Sequence, residues 1–246
     1  MMKIASISAL TILGLGGCAS TEVAAPGTVY DPYEGFNRRM FALNNTLDKA
    51  ILEPTAKGYR FVTTEDMREG FSNALANLKE PVTFANEILQ GDFIDASNTV
   101  GRFALNSTLG VVGLVDVAGS LGIERKSEDF GQTLGKWGVG DGPYLVLPIL
   151  GSTNPRDLLG TGIDSAFQPL NYAQFSGDTE FRIGRSVLGV VSGREKLIEL
   201  IADLREQQAD PYTAARRIYG QTRDAAIRNG AEDPNAYEDL PNYDEY

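Results

Sequence analysis

The sequence predicts an all-α fold with one irregular, glycine-rich hairpin loop, and three observations lead there. Apolar residues recur at helical spacing in Phe36, Met40, Leu43, Leu47 and Ile51. Helix-start signals stand at Asp31-Pro32, at Ser192 with Glu195, and at Asp210-Pro211. The one extended apolar run, Tyr144 to Pro148, is short, bounded by prolines and preceded by Gly138, Gly140 and Gly142. The 246 residues are 42% hydrophobic and 22% charged, enough for one large domain or two small ones.

The first element lies outside the fold. Residues 1 to 17 carry one positive charge, Lys3, then an apolar run from Ile4 to Leu15 and two small residues, and read as a signal peptide. Leu15-Gly16-Gly17-Cys18 resembles a bacterial lipobox, in which cleavage before Cys18 leaves its thiol and new amine to carry acyl chains such as palmitate. Each buried methylene contributes about 0.8 kcal/mol, so several chains hold a protein to a bilayer whatever its charge. Ala19, rather than aspartate, follows the cysteine, as in lipoproteins sent to the outer membrane. Residues 18 to 30, with Pro26 and Gly27, form a short tether, and residues 31 to 230 the helical domain.

Asp31, Pro32 and Glu34 predict a capped helix start. The stripe that follows, widened by Phe41 and Leu52, is flanked by Arg38, Arg39, Lys49, Lys57 and Arg60 against Asp48 and Glu53. Such a face suits either a membrane surface or a core-facing helix with solvated arginines. A second helical pattern runs from Phe71 through Leu75, Leu78, Val82 and Leu89, broken or kinked at Pro81 and closed at Gly91. Val100 to Ile123 is apolar but interrupted by Asn106, Ser107, Thr108, Asp116 and Ser120, which spoils a transmembrane span and predicts one or two short helices packed closely at glycine. A capping box at Ser192 and Glu195 predicts a helix through Leu204, and Asp210-Pro211 opens another that Gly230 ends. Residues 231 to 246, acidic and without lysine or arginine, form a mobile tail.

Histidine is absent and Cys18 is the one cysteine, which excludes Ser-His-Asp and Cys-His catalysis, His/Cys zinc sites and an intramolecular disulfide. Carboxylate, lysine and tyrosine chemistry stay open, but no catalytic residue, metal or cofactor is assigned. A net charge of −11 argues against nucleic acid as a partner.

The stretch Gly135 to Gly151, GKWGVGDGPYLVLPILG, invites reading as a phosphate loop. A phosphate loop needs a helix N-terminus after its glycines, and here Pro143 and an extended run follow instead. Trp137, rather than Ser or Thr, follows Gly135-Lys136. The glycines therefore serve turns, and Asp129 to Tyr144 is expected to fold back as an irregular hairpin with Trp137 near its tip. Trp137 and Tyr144 suit a boundary between apolar and wet surroundings as well as a core.

The lipobox at Cys18 and four segments carry a family resemblance: DPYEGFNRRMFALNNTLDKAILEP from Asp31, NLKEPVTFANEILQGD from Asn77, RFALNSTLGVVGLVDVA from Arg102, and EDFGQTLGKWGVGDGPYLVLPILGSTNPRD from Glu128. In their order and spacing the chain resembles the MlaA (VacJ) family of outer-membrane phospholipid-transport lipoproteins. From about Ser176 onward the likeness is mainly one of helical pattern.

The resemblance implies an α-helical ring in the periplasmic leaflet of the outer membrane, enclosing an amphipathic channel and docked beside a trimeric porin. It implies that misplaced phospholipid passes from the outer leaflet to the periplasmic carrier MlaC, and on to an inner-membrane ABC transporter, without covalent chemistry. The loop of Phe130, Gly131, Gly135, Trp137, Gly138, Gly140, Gly142, Pro143 and Tyr144 is then expected beside the channel, bending at its glycines. Phe36, Met40, Phe41, Leu43 and Leu47 become candidates to face lipid tails or the ring interior, and Arg38 and Arg39 to meet phosphates, solvent or the porin. The competing expectations are a structural lipoprotein that braces a porin and a carboxylate-dependent lipid hydrolase.

Overall fold

The computed structural model describes residues 29–231. Cys18, the signal segment, most of the tether and the acidic tail after Ala231 lie outside the described residues. Eleven α-helices and a two-stranded antiparallel hairpin make up the described part.

Helix α1 (Glu34–Leu47) runs through a five-residue π-helical turn (Asp48–Leu52) into α2 (Glu53–Val62). Pro54 explains the widened turn: it has no amide hydrogen for the carbonyl four residues back, and its ring crowds that carbonyl. Asp31 corrects an expectation, because it does not cap α1. Its carboxylate instead accepts hydrogen bonds from Asn37 Nδ2 (2.7 Å), Arg216 Nη1 (2.8 Å) and the Tyr212 hydroxyl, tying the chain entry to the C-terminal helix.

Pro81 breaks the second pattern cleanly. Helix α3 (Glu65–Asn77) ends before it, and α4 (Glu80–Gln90) starts with the proline in its first turn, where no hydrogen bond is lost. Gly91, at φ 82°, ends α4. Helix α5 (Phe93–Thr108) and the single turn α6 (Val117–Ser120) replace the apolar run. Between them Gly113 packs on Asn77, where a Cβ would come within 2.6 Å of the Asn77 Cβ.

The expected hairpin of residues 129 to 144 is not one. Asp129 caps a short helix, α7 (Phe130–Lys136), by accepting from the Gln132 amide at 2.9 Å. The chain then turns at Trp137-Gly138 and runs irregularly to Tyr144. The hairpin comes next, β1 (Leu145–Leu147) against β2 (Gly151–Thr153), with Val146 opposite Ser152.

Helix α8 (Pro155–Phe167) starts on an Asn154 cap and packs along α7. Long helix α9 (Asp178–Lys196) lies against α2 and α3, followed by α10 (Ile198–Gln207) and α11 (Pro211–Ile227). The predicted capping box is overturned: Ser192 and Glu195 sit inside α9, buried, and Glu195 accepts from Arg60 Nε at 2.7 Å. Asp210 does cap α11, accepting from the amides of Tyr212 and Thr213.

Burial is unusual in kind. Tyr144, Val146 and Tyr212 form a small apolar centre, with Val29, Met40, Phe41 and Tyr219 against it. Elsewhere the fully buried side chains are largely polar: Asn37, Asn77, Asn86, Asn106, Thr133, Glu87 and Arg102. Large apolar side chains point outward, among them Phe61 at 89%, Ile149 at 85% and Ile94 at 79% exposure. Polar interiors with apolar exteriors invert the rule for proteins in water and fit a low-dielectric surrounding. No described helix is long and apolar enough to cross a membrane.

Candidate functional site

Two openings dominate the surface. The first is a cleft of about 530 Å³ between α3, the start of α4, the 125–127 segment and α9. Its walls are small: Ser72 and Ala76 on α3, Ser186, Gly189 and Gly193 on α9. A Cβ built on Gly189 or Gly193 would meet no atom within 4 Å, so these glycines leave the cleft open.

Charge in the cleft opposes that of the whole chain. Lys79, Arg125, Lys126, Arg185 and Lys196 line it, with Glu80 as the one acid. Arg125 is neutralised by Asp116 at 3.1 Å and Lys126 by Asp95 at 2.6 Å. Lys196 donates to the Ser72 hydroxyl, and Lys79, Arg185 and Lys196 have no acidic partner among the described residues. Glu80 is 3% exposed and faces Arg102 at 3.6 Å; burial pushes its carboxyl above the usual range against the pull of Arg102. Gln168 donates Nε2 to the Leu78 carbonyl at 3.1 Å, while its buried Oε1 has no hydrogen-bond partner. The cleft can thus hold an anion with polar substituents, using point charges set in narrow walls.

The second opening, about 750 Å³, lies between α1, the π turn, the hairpin tip, α10 and α11. Phe41, Leu47, Ile51, Leu150, Leu204 and Ile218 make it apolar. Its floor is held by an ion cluster in which Asp48 accepts from Arg194 (2.6 Å) and Arg205 (2.7 Å). A third, smaller hollow is edged by Asp129, Asp157 and Arg223. Burial opposes ionisation of Asp129, yet the Arg223 guanidinium 2.6 Å away holds its carboxyl down to about 2. Tyr219 donates to Asp157 at 2.6 Å, so both carboxylates are committed to structure.

The expected site residues scatter. Phe41 and Leu47 line the apolar opening, Met40 joins the apolar centre, and Phe36 and Leu43 face outward. Arg38 is not available to a phosphate, because it bridges Glu34 and Asp210 (both 2.7 Å) and stacks on Tyr212. Phe130 is buried edge-on to Trp137, and Gly131 and Gly135 are helix-packing positions inside α7 rather than loop hinges. Trp137 is half exposed with its indole donating to the Leu89 carbonyl, whereas Tyr144 is wholly buried. Gly138 and Gly140 border open space, Gly142 approaches Pro155, and Pro143 is half-buried. None of Phe130 to Tyr144 lines either large opening; Val146 and Ile149 to Ser152 do.

The cleft cations escaped notice because they come from distant segments. The available signal was α9 itself, whose Gly184, Gly189 and Gly193 are costly in a helix unless something needs the space.

Comparison with known proteins agrees over nearly all of the described chain. Residues 29–226 match the family model of the MlaA lipoprotein. The Escherichia coli intermembrane phospholipid transport system lipoprotein MlaA is 37% identical over 240 residues, covering 92% of this chain and 93% of that one. An uncharacterized protein of Rickettsia typhi is 38% identical, over 81% of this chain and 79% of its own. A solved structure, described as the structural basis for maintenance of bacterial outer membrane lipid asymmetry, superimposes with a TM-score of 0.72 at 38% identity, over 80% of this chain and 98% of that chain.

Proposed function

The chain belongs to the MlaA lipoprotein family, and on that premise we propose that it serves intermembrane phospholipid transport and maintains the lipid asymmetry of the outer membrane. Within that role it is a non-enzymatic conduit, taking misplaced phospholipid from the outer leaflet and passing it to a periplasmic carrier of the MlaC kind. The outward-facing apolar side chains support seating of the domain in the periplasmic leaflet beside a trimeric porin, with acylated Cys18 as anchor. In a ring arrangement, the cleft between α3 and α9 is the polar passage.

The observation that carries this reading is the cleft: small walls, open space at Gly189 and Gly193, and cations without acidic partners among the described residues. A phospholipid crossing a protein needs positive charge for its phosphodiester and apolar cover for its tails. The cleft supplies the first and the apolar opening the second.

Replacing Gly189 by tryptophan tests it. A Cβ at this position meets no atom within 4 Å, so the backbone need not shift, and the indole should plug the cleft. Cells carrying Gly189→Trp should accumulate outer-leaflet phospholipid and become sensitive to detergent with EDTA, as should a deletion strain. Normal asymmetry in the variant would remove the cleft as the passage. Normal asymmetry in the deletion strain would favour a purely structural lipoprotein.

A further inference from the structure

We propose that the α3–α9 cleft selects among phospholipids by headgroup charge, taking phosphatidylglycerol before phosphatidylethanolamine through Lys79, Arg185 and Lys196. The inference rests on the conduit reading and adds a substrate preference to it. Both lipids carry one phosphodiester anion; they differ in that ethanolamine adds a cation and glycerol adds two neutral hydroxyls.

The cleft treats those two additions differently. An ammonium group entering it meets three cations without acidic partners among the described residues. The carboxylates near it are committed: Asp116 and Asp95 are engaged by Arg125 and Lys126, and Glu80, 3% exposed, faces Arg102 at 3.6 Å. Glycerol hydroxyls meet hydrogen-bonding groups instead, the hydroxyls of Ser72 and Ser186. Because the chain as a whole is negative, the preference arises from these walls and not from its overall field.

Screened charge–charge contacts at partly exposed groups are worth a few-fold each, so the preference should be about fivefold. The test is native mass spectrometry of the purified full-length protein in dodecyl maltoside doped with equal amounts of phosphatidylglycerol and phosphatidylethanolamine. The wild type should carry about five phosphatidylglycerols for each phosphatidylethanolamine. The double variant Lys79→Gln/Arg185→Gln should bring the ratio near unity, losing phosphatidylglycerol more than phosphatidylethanolamine. Arg217→Gln, an exposed cation on α11 outside the cleft, should keep the wild-type ratio. Equal binding by the wild type, or an unchanged ratio in the double variant, would overturn the preference and leave the conduit standing. Failure to carry either lipid would overturn the conduit itself.

Discussion

Asn37 on α1 closes the free edge of strand β1: its Nδ2 donates to the Tyr144 carbonyl at 2.9 Å and its Oδ1 accepts from the Val146 amide at 2.9 Å. Two turns on, Asn44 repeats the device, donating to the Leu147 carbonyl and accepting from the Ile149 amide, both at 2.8 Å. A lone two-stranded hairpin is marginal, and here a helix supplies the missing ladder through side-chain amides. Asn37→Ala should strand two buried backbone groups and destabilise the protein by about 3 kcal/mol in chemical denaturation, since each orphaned group costs about 1–3 kcal/mol. An exposed asparagine such as Asn98 should lose under about 0.5 kcal/mol on the same change.

Helices α7 and α8 approach at Gly131 and Gly160. A Cβ on Gly160 would lie 2.8 Å from the Gly131 Cα and closer still to its amide nitrogen. Backbone cannot yield as a side chain does, so Gly160→Ala should cost about 3 kcal/mol, read as a lowered denaturation midpoint.

Gly138 and Gly140 separate by backbone geometry. Gly138 stands at φ 86° and Gly140 outside the left-handed region, and both border open space. Gly138→Ala should cost about 1–2 kcal/mol and Gly140→Ala almost nothing in thermal melts. If bending of this segment gates lipid passage, outer-leaflet phospholipid should rise in cells carrying Gly138→Val and not in those carrying Gly140→Ala.

Glu87 gives the fold a pH dependence. It is 1% exposed with Thr99 donating to Oε1 at 3.0 Å, and burial, against that hydrogen bond, pushes its carboxyl up to about 7. The folded state therefore holds a proton that the unfolded chain releases near the ordinary glutamate value. Its stabilising effect is complete below about pH 4.3 and is lost as pH rises towards 7. Glu87→Gln should raise Tm by about 4 °C at pH 8 and leave it nearly unchanged at pH 4. Equal shifts at both pH values would mean that Glu87 does not titrate in this range.

The amino-acid order alone determined the helical class, the break at Pro81, the stops at Gly91 and Gly230 and the cap at Asp210, because these depend on a few neighbouring residues. It also carried the family, through segments from Asp31 to Asp157. Local signals failed where distant groups compete for the same atoms. Asp31 and Ser192 look like caps, yet Arg216 and Tyr212 claim the first and helix α9 runs through the second. The cleft was legible in no window, since Lys79, Arg125, Arg185 and Lys196 converge only when α9 packs across α3. Their charges act through space, over distances that only the packed chain sets, and so tertiary structure alone turned an acidic sequence into one with a cationic cleft.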